Sequence, residues 1–302
     1  MKIIDAHAHI AQYIAGFTSR GELRAAGGGK ARYSTGETFQ MFPPELGDIG
    51  VSAESLLKIM DENGVEKAVL LQGNFLGFHN DYTYEAVKKY PSRFVGAATY
   101  SPFCLKADEI RKRLFDDLGF KAVKFELSTG SGLMSDRSFY IDGTAMNECF
   151  SHAREKGLKV VLDIGRPDGA CWQIDALSSV VSKYPQVTFV LCHLLAPQRG
   201  DNEILKQALN KLVKSNVYFD LSSLAQNQKP EKFPYPTAVK HLGAAKSIVG
   251  ADRLMFGSDM PCNLARDSYA HLKDYIINSG VFNERELEDV FYNTAQKIYF
   301  GV

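Results

Sequence analysis

The chain has 302 residues, of which 45% are hydrophobic and 23% are charged, and its formal net charge is zero. This composition is typical of a globular protein and lacks the basic surplus that nucleic acids and anionic membranes attract, so we expect neither as a partner. We also expect no membrane span and no signal peptide, because no apolar run is long enough for either. The five cysteines are dispersed without a CxxC pair, which favours a reducing cytoplasm over a disulfide framework.

Short apolar runs alternate with amphipathic segments along the chain, as in repeated βαβ units. The apolar runs predict eight strands, at residues 2–9, 66–73, 93–100, 120–127, 158–165, 187–194, 216–223 and 253–259. The amphipathic segments predict eight helices, at residues 52–64, 81–90, 107–119, 143–157, 172–184, 201–215, 236–250 and 267–280. Eight units favour an α/β fold of the (β/α)8 TIM-barrel type, in one domain over residues 1–302. No glycine-rich phosphate loop follows a strand, which disfavours a nucleotide-binding sheet.

One long segment, residues 11–50, separates the first strand from its helix. It is too long for a simple connection, and it contains three consecutive glycines at 27–29 and a bulky cluster that includes Phe39 and Phe42. The segment after a barrel strand lies on the catalytic face, so residues 11–50 are predicted to form an active-site lid. The alternative is an oligomerisation loop. A second insertion, at residues 127–143, lies on the same face.

The first strand reads "KIIDAHAH" and carries three polar residues at a spacing of two, Asp5, His7 and His9. Residues two apart in a strand share a face, so all three are predicted to face the barrel mouth. Two imidazoles this close can chelate one divalent ion. Asp5 lies deeper, where it is better placed to orient a ligand or to accept a structural hydrogen bond.

Four later strands also end in polar residues: Asp163 on the fifth, His193 on the sixth, Asp220 on the seventh and Asp259 on the eighth. A buried carboxylate or imidazole must be paired, hydrogen-bonded or bound to a metal. Their shared position at the strand ends predicts one polar site at the barrel mouth. A purely structural polar network is the alternative interpretation.

Other polar residues on the same face are candidates for substrate binding. Lys124 and Glu126 lie two apart on the fourth strand, where they line the mouth or pair with each other. Arg166 follows the fifth strand and is a candidate clamp for a substrate carboxylate, although a surface salt bridge is an equal alternative. His79 follows the second strand and is a candidate substrate contact.

The motifs "DAHAH", "VLCHL" and "GADRLMFGSDMP", together with the terminal "FYNTAQKIYF", resemble the amidohydrolase superfamily. The resemblance is greatest to its branch of aminocarboxymuconate-semialdehyde decarboxylase and related decarboxylases, hydratases and hydrolases. It implies a (β/α)8 barrel that holds one divalent metal ion, with zinc as the first candidate and manganese as the second. It further implies that His7, His9 and Asp259 are metal ligands. In hydrolytic members Asp259 would also accept a proton from metal-activated water, and His193 would be the catalytic acid or base.

One position departs from the family pattern. The fifth strand of this branch usually ends in a metal-binding histidine, and the residue here is Asp163. A carboxylate oxygen is an acceptable zinc ligand, so Asp163 is predicted as a fourth ligand. The alternatives are that Asp163 binds substrate instead of metal, or that the metal site is altered.

Three functions are compatible with this pattern. The first is a metal-dependent hydrolase of a small, carboxylated molecule. The second is a non-oxidative decarboxylase or a hydratase on the same scaffold. The third is a non-catalytic barrel that binds a small ligand. A homodimer is a family-level expectation.

Overall fold

The computed structural model describes residues 1–167 and 169–301, and it contains all eight predicted strands. Four further strands lie within residues 11–50. In chain order the strands are β1 Ile4–Ala8, β2 Ala15–Thr18, β3 Gly21–Gly27, β4 Lys30–Tyr33, β5 Thr38–Gln40, β6 Lys67–Leu70, β7 Phe94–Gly96, β8 Ala122–Glu126, β9 Lys159–Asp163, β10 Phe189–Leu191, β11 Val217–Asp220 and β12 Leu254–Met255.

Each of the eight predicted helices is also present. The α-helices are α1 Ala53–Glu62, α2 Asn80–Lys89, α3 Ala107–Lys112, α4 Thr144–Lys156, α5 Ile174–Lys183, α6 Asn202–Leu212, α7 Pro236–Val249, α8 Tyr269–Ile277 and α9 Glu284–Glu288. Helix α3 continues as a π-helical turn, Arg113–Asp117, and the terminal segment contains two more, Asp289–Asn293 and Gln296–Phe300. None of the helices in the described residues combines the length and the apolar character needed to cross a bilayer.

The eight main strands follow one another in chain order and pair in parallel. Three form one sheet, β1-β6-β7, and five form another, β12-β11-β10-β9-β8. The two sheets meet at both edges through single parallel bridges, Ala8 with Met260 and Ala98 with Val123. The hydrogen-bond ladder around the predicted barrel is thus reduced to a single bridge at two places. The strands next to these places are short, since β7 has three residues and β12 has two.

The predicted lid segment is not an irregular loop. Strands β2 to β5 form a four-stranded antiparallel sheet, and Gly27, Gly28 and Gly29 turn the chain between β3 and β4 with positive φ angles. The sheet buries its own apolar cluster, which packs against Phe75 and Cys262. Sequence analysis missed these strands because the segment lacks the clear alternation that marks a half-buried strand.

A β-bulge in β1 changes which of its side chains face the mouth. The pairing register of β1 with β6 shifts between Asp5 and Ala8. Ile4 and Ala6 both pack into the apolar cluster that the strands enclose. His7 follows Ala6 directly and nevertheless faces inward, where it lines a cavity at the carboxyl ends of the strands. Bulges redirect side chains in this way. The prediction that Asp5 shares the face of His7 and His9 is therefore wrong.

Candidate metal and active site

A cavity of about 200 Å³ opens at the carboxyl ends of the strands. Seven of the nine residues predicted as catalytic, metal-binding or substrate-binding line it: His7, His9, Lys124, Glu126, Asp163, His193 and Asp259. The remaining lining residues are Gly73, Phe75, Leu76, Ser131, Ser223, Cys262, Asn263 and Arg266. The apolar cluster of the β2–β5 sheet packs on two of these lining residues, Phe75 and Cys262.

His7, His9 and Asp259 form the tightest cluster of potential ligands. Oδ1 of Asp259 lies 3.0 Å from Nε2 of His9 and 3.7 Å from Nε2 of His7. Among the described residues, the ligand atoms of these three side chains all lie within 4.8 Å of one another. A second such group, His7 with Cys192 and Asp220, is fully buried, and its His7 and Asp220 are already hydrogen-bonded to each other.

The hydrogen bonds of the two imidazoles place a proton on Nδ1 of each ring, so that Nε2 is the atom that faces Asp259. Nδ1 of His7 lies 3.0 Å from a carboxylate oxygen of Asp220, and Nδ1 of His9 lies 2.8 Å from the carbonyl of Leu71. Because these partners only accept, each Nδ1 must carry the proton. Burial lowers the pKa of His7 to about 4, so its ring is neutral at pH 7. Lone pairs of His7 and Asp259 thus face each other across a short distance, and a bound cation would stabilise this arrangement. The donor set fits a divalent ion.

Asp220 and Ser222 hold the two histidines that stack at the centre of the site. The rings of His7 and His193 lie 4.8 Å apart at 28°. The hydroxyl of Ser222 lies 3.0 Å from Nδ1 of His7 and 2.8 Å from Nδ1 of His193. Asp220 accepts from the backbone N–H of His193 and from Ser222. Sequence analysis found Asp220 but missed Ser222, which lies two residues further along the same strand end.

Asp163 faces His193 instead of the His7, His9 and Asp259 cluster. Its Oδ2 lies 3.7 Å from Nε2 of His193, and its other oxygen accepts from the backbone of Gly165. Burial alone would lower the pKa of His193, but the nearby carboxylates raise this pKa to about 9, and Asp163 has the largest effect among them. Burial would likewise raise the pKa of Asp163, but His193 and Lys124 lower it to about 2. The two side chains therefore form an imidazolium–carboxylate pair at pH 7.

Lys124 and Glu126 are buried on the cavity floor. Nζ of Lys124 lies 3.4 Å from Nε2 of His7, and burial would lower its pKa, but surrounding acidic groups, including Glu126, raise it. Glu126 accepts from the backbone of Phe75 and from Ser131, and burial raises its pKa to about 7. The predicted ion pair between Lys124 and Glu126 does not form within 4.0 Å in the described residues.

Arg166 and His79 lie outside the cavity. Arg166 is exposed on the loop after β9. His79 is buried, with Nε2 3.1 Å from the carbonyl of Leu76, and it packs against Tyr13. The arginine at the cavity mouth is Arg266, on the loop after β12. Sequence analysis missed it because it lies seven residues beyond Asp259, outside the recognised motif.

Asp5 has a structural role just behind this site. Its carboxylate is fully buried and accepts from the backbone and hydroxyl of Ser258, from the backbone of His7 and from the hydroxyl of Tyr269. Burial raises its pKa to about 6. The expectation that Asp5 accepts structural hydrogen bonds agrees with these contacts, and they tie the start of the strand β1 to the last strand.

We expect Asp5→Ala to lower the free energy of unfolding by about 3 kcal/mol, because buried donors lose their acceptor at a cost of about 1–3 kcal/mol each. Urea denaturation monitored by circular dichroism measures this change. Asp252→Ala is the matched control, since the side chain of Asp252 is 71% exposed, and its effect should stay below about 1 kcal/mol. An Asp5→Ala protein as stable as the parent would contradict this role.

The fold and the cavity define a class, namely TIM-barrel-like proteins with a histidine–aspartate cluster at the carboxyl ends of the strands. Three solved structures share the fold. A probable 2-pyrone-4,6-dicarboxylic acid hydrolase of Acinetobacter baumannii, with citric acid bound, is 16% identical, with a TM-score of 0.70 over 100% of both chains. An amidohydrolase of Burkholderia multivorans with bound zinc is 17% identical, with a TM-score of 0.73 over 99% of both chains. The 2,6-dihydroxybenzoate decarboxylase of Rhizobium is 16% identical, with a TM-score of 0.56 over 80% of this chain and 86% of that one.

The sequence matches the amidohydrolase family over residues 4–301, and the chain therefore belongs to that family. No match was found among curated protein sequences. The predicted resemblance is confirmed, and so is the predicted class, an enzyme of the hydrolase or decarboxylase type.

Proposed function

We propose that this protein is a metal-dependent hydrolase of a small, carboxylated lactone, ester or amide. The single observation that carries the proposal is the convergence of two Nε2 atoms, on His7 and His9, upon Oδ1 of Asp259. The zinc bound in the Burkholderia relative supports zinc as the first candidate ion, with manganese as the second. Its (β/α)8 barrel is a single domain, and the β2–β5 sheet is its lid.

In this proposal the ion is held by His7, His9 and Asp259. Asp163, within the same cavity, is a fourth ligand only if its carboxylate turns away from His193. When bound, the ion supplies Lewis acidity that activates water or polarises a carbonyl. Asp220 and Leu71 fix the proton of each imidazole on Nδ1, so that both Nε2 atoms face the ion.

The remaining side chains move protons and position the substrate. Asp259 accepts a proton from the attacking water, while Ser223 donates to its other oxygen and keeps its carboxylate oriented. His193 is charged and donates a hydrogen bond or a proton to the leaving oxygen or nitrogen. In lactone hydrolysis one water is added, the acyl C–O bond breaks, and a carboxylate and a hydroxyl group remain. Lys124 is a fixed positive charge beside the reacting carbonyl.

Decarboxylation is the second candidate, supported by the fold shared with the Rhizobium decarboxylase. The same imidazolium can protonate the carbon that loses carbon dioxide, so His193 can serve either reaction. The lining of the cavity favours hydrolysis, since Asp259 stays ionised next to the imidazoles and is thereby kept as a proton acceptor.

The experiment measures both reactions on one preparation. We expect the zinc-loaded protein to open 2-pyrone-4,6-dicarboxylate and, in water labelled with heavy oxygen, to place one label in the product. Release of carbon dioxide from 2,6-dihydroxybenzoate without hydrolysis of the lactone would favour the decarboxylase. A protein that neither retains zinc nor turns over either compound would contradict both and favour the non-catalytic alternative.

A further inference from the structure

We propose that Arg266 forms an anion subsite at the mouth of the cavity, where it binds a carboxylate of the substrate that is distant from the reacting bond. The inference rests on the proposed function for the identity of its ligand, a small organic carboxylate. It assigns to Arg266 the role that the sequence suggested for Arg166.

The backbone on either side of Arg266 is firmly anchored to the site. A short turn, Cys262–Ala265, follows Asp259, and the N–H of Arg266 donates to the carbonyl of Asn263 at 3.0 Å. Asn263 is buried and donates to Ser223 and to the carbonyl of Ser258, each at 2.9 Å. Ser223 in turn donates to Asp259. The backbone of Arg266 is therefore held at a fixed position relative to the carboxylate of the proposed metal cluster, and its exposed side chain extends from that point.

The guanidinium of Arg266 has no partner of its own in the described part of the chain. No carboxylate of residues 1–167 and 169–301 lies within 4.0 Å of it, and its side chain donates no hydrogen bond there. The neighbouring Asp267 is engaged instead with His271 and with the backbone of Ser268. An exposed arginine at a cavity mouth, without a protein acceptor among the described residues, is suited to a ligand carboxylate, which it can bind through two parallel hydrogen bonds.

A second basic side chain, that of Lys229, lies within electrostatic reach of Arg266. Lys229, on the loop after β11, also lacks an ion pair among the described residues. Partial burial lowers the pKa of Lys229, and the charge of Arg266 lowers it further, so the two cations lie close enough to repel each other. An anion between or beside them would relieve that repulsion.

The charge of the whole cavity points in the same direction. Its lining contains three carboxylates, on Glu126, Asp163 and Asp259, and two basic side chains, on Lys124 and Arg266. With a divalent ion bound, positive charge exceeds negative charge by one, even before the imidazolium of His193 is counted. A carboxylate on the ligand would balance that excess.

An aromatic side chain of the β2–β5 sheet, Tyr33, lies within electrostatic reach of Arg266. Tyr33, at the end of β4, stacks on Phe39 with ring centroids 5.0 Å apart, and Arg20 lies 5.0 Å from its ring. The charges of Arg20 and Arg266 both act on the Tyr33 hydroxyl, so all three side chains share one region. Arg20 is paired with Glu37, which leaves Arg266 as the arginine available to the ligand.

The test is calorimetric binding of isophthalate, a rigid aromatic dicarboxylate, with neutral isophthalamide as the comparison probe. We expect Arg266→Gln to weaken isophthalate binding by roughly 10- to 100-fold, the value of a charge-assisted hydrogen bond, and to leave isophthalamide unchanged. Arg285→Gln, an exposed change on α9, is the matched control and should bind like the parent. Arg166→Gln tests the competing assignment, in which Arg166 binds the carboxylate.

Two results would overturn the subsite: isophthalate binding that is unchanged in Arg266→Gln, or binding that is lost in Arg166→Gln and kept in Arg266→Gln. Absence of isophthalate binding to the parent protein would overturn it as well. Zinc content is measured on the same samples. A parent protein that binds isophthalate through Arg266 but holds no zinc would contradict the proposed function and leave the subsite intact, so the two failures are distinguishable.

Discussion

His7→Ala is expected to lower zinc affinity by more than about 100-fold, because it removes one of three converging ligand atoms and loosens the other two. Changes to residues that only support a metal ligand already cost about 10- to 100-fold, so loss of a ligand should exceed that range. His7 is fully buried between Asp220, His193 and Lys124, so its contribution is both chemical and structural. Zinc content after dialysis and a competition titration with a chromogenic chelator measure the change.

The structural contribution of His7 requires a second variant. Truncation to alanine leaves the buried carboxylate of Asp220 without one of its donors, at a cost of about 1–3 kcal/mol. Asp259→Asn keeps the shape of the side chain and removes its charge, and it should also lose zinc. His271→Ala is the control, because this exposed histidine lies on α8, pairs with Asp267, stacks on Phe233 and does not line the cavity. Full zinc retention by both His7→Ala and Asp259→Asn would refute the ligand assignment.

The parts of the site that lie on regular strands could be predicted from the sequence. His7, His9, Asp163, His193 and Asp259 all end apolar runs, and parallel strands bring their carboxyl ends to one edge. The position of each residue at its strand end and the order of the strands were enough to place these side chains in one cavity. The family motifs then pointed to the same residues.

The parts that depend on local irregularity could not be predicted. The β-bulge in β1 turns Asp5 away from the mouth, and a register shift leaves no mark in a sequence of alternating residues. The lid contains four strands, yet its strand β3 is only half-buried and its turn is built from three glycines. Such a strand lacks a buried face that would make its pattern distinct.

Arg166 and Arg266 show the same limit of prediction from the sequence. Arg166 follows a strand end at a spacing that suggests the cavity, but the loop leaves it exposed outside the lining. Arg266 reaches the lining only because the turn after Asp259 is held by Asn263. The direction of a loop side chain depends on contacts between distant segments, here Asn263 with Ser223, and no spacing in the sequence encodes them.

His193→Gln is expected to keep zinc and to lower the rate of turnover by about 100- to 10,000-fold, the contribution typical of a positioned acid or base. The imidazole is stacked on His7 and held by Ser222, but its Nε2 faces Asp163 and lies outside the cluster of ligand atoms that surrounds Asp259. Glutamine retains a hydrogen-bond donor but cannot transfer a proton, which separates positioning from proton transfer. Single-turnover kinetics with 2-pyrone-4,6-dicarboxylate, together with zinc content, measure both effects.

The outcome depends on how His193 and Asp163 work as a pair. If the carboxylate of Asp163 holds His193 as an imidazolium, Asp163→Asn should lower the pKa of His193 and weaken turnover while zinc stays bound. If Asp163 is instead a metal ligand, the same variant should lose zinc, as Asp259→Asn does. A His193→Gln protein with parental turnover would exclude His193 as the acid. Loss of zinc from His193→Gln would place this imidazole among the ligands, in the position that the sequence suggested for Asp163.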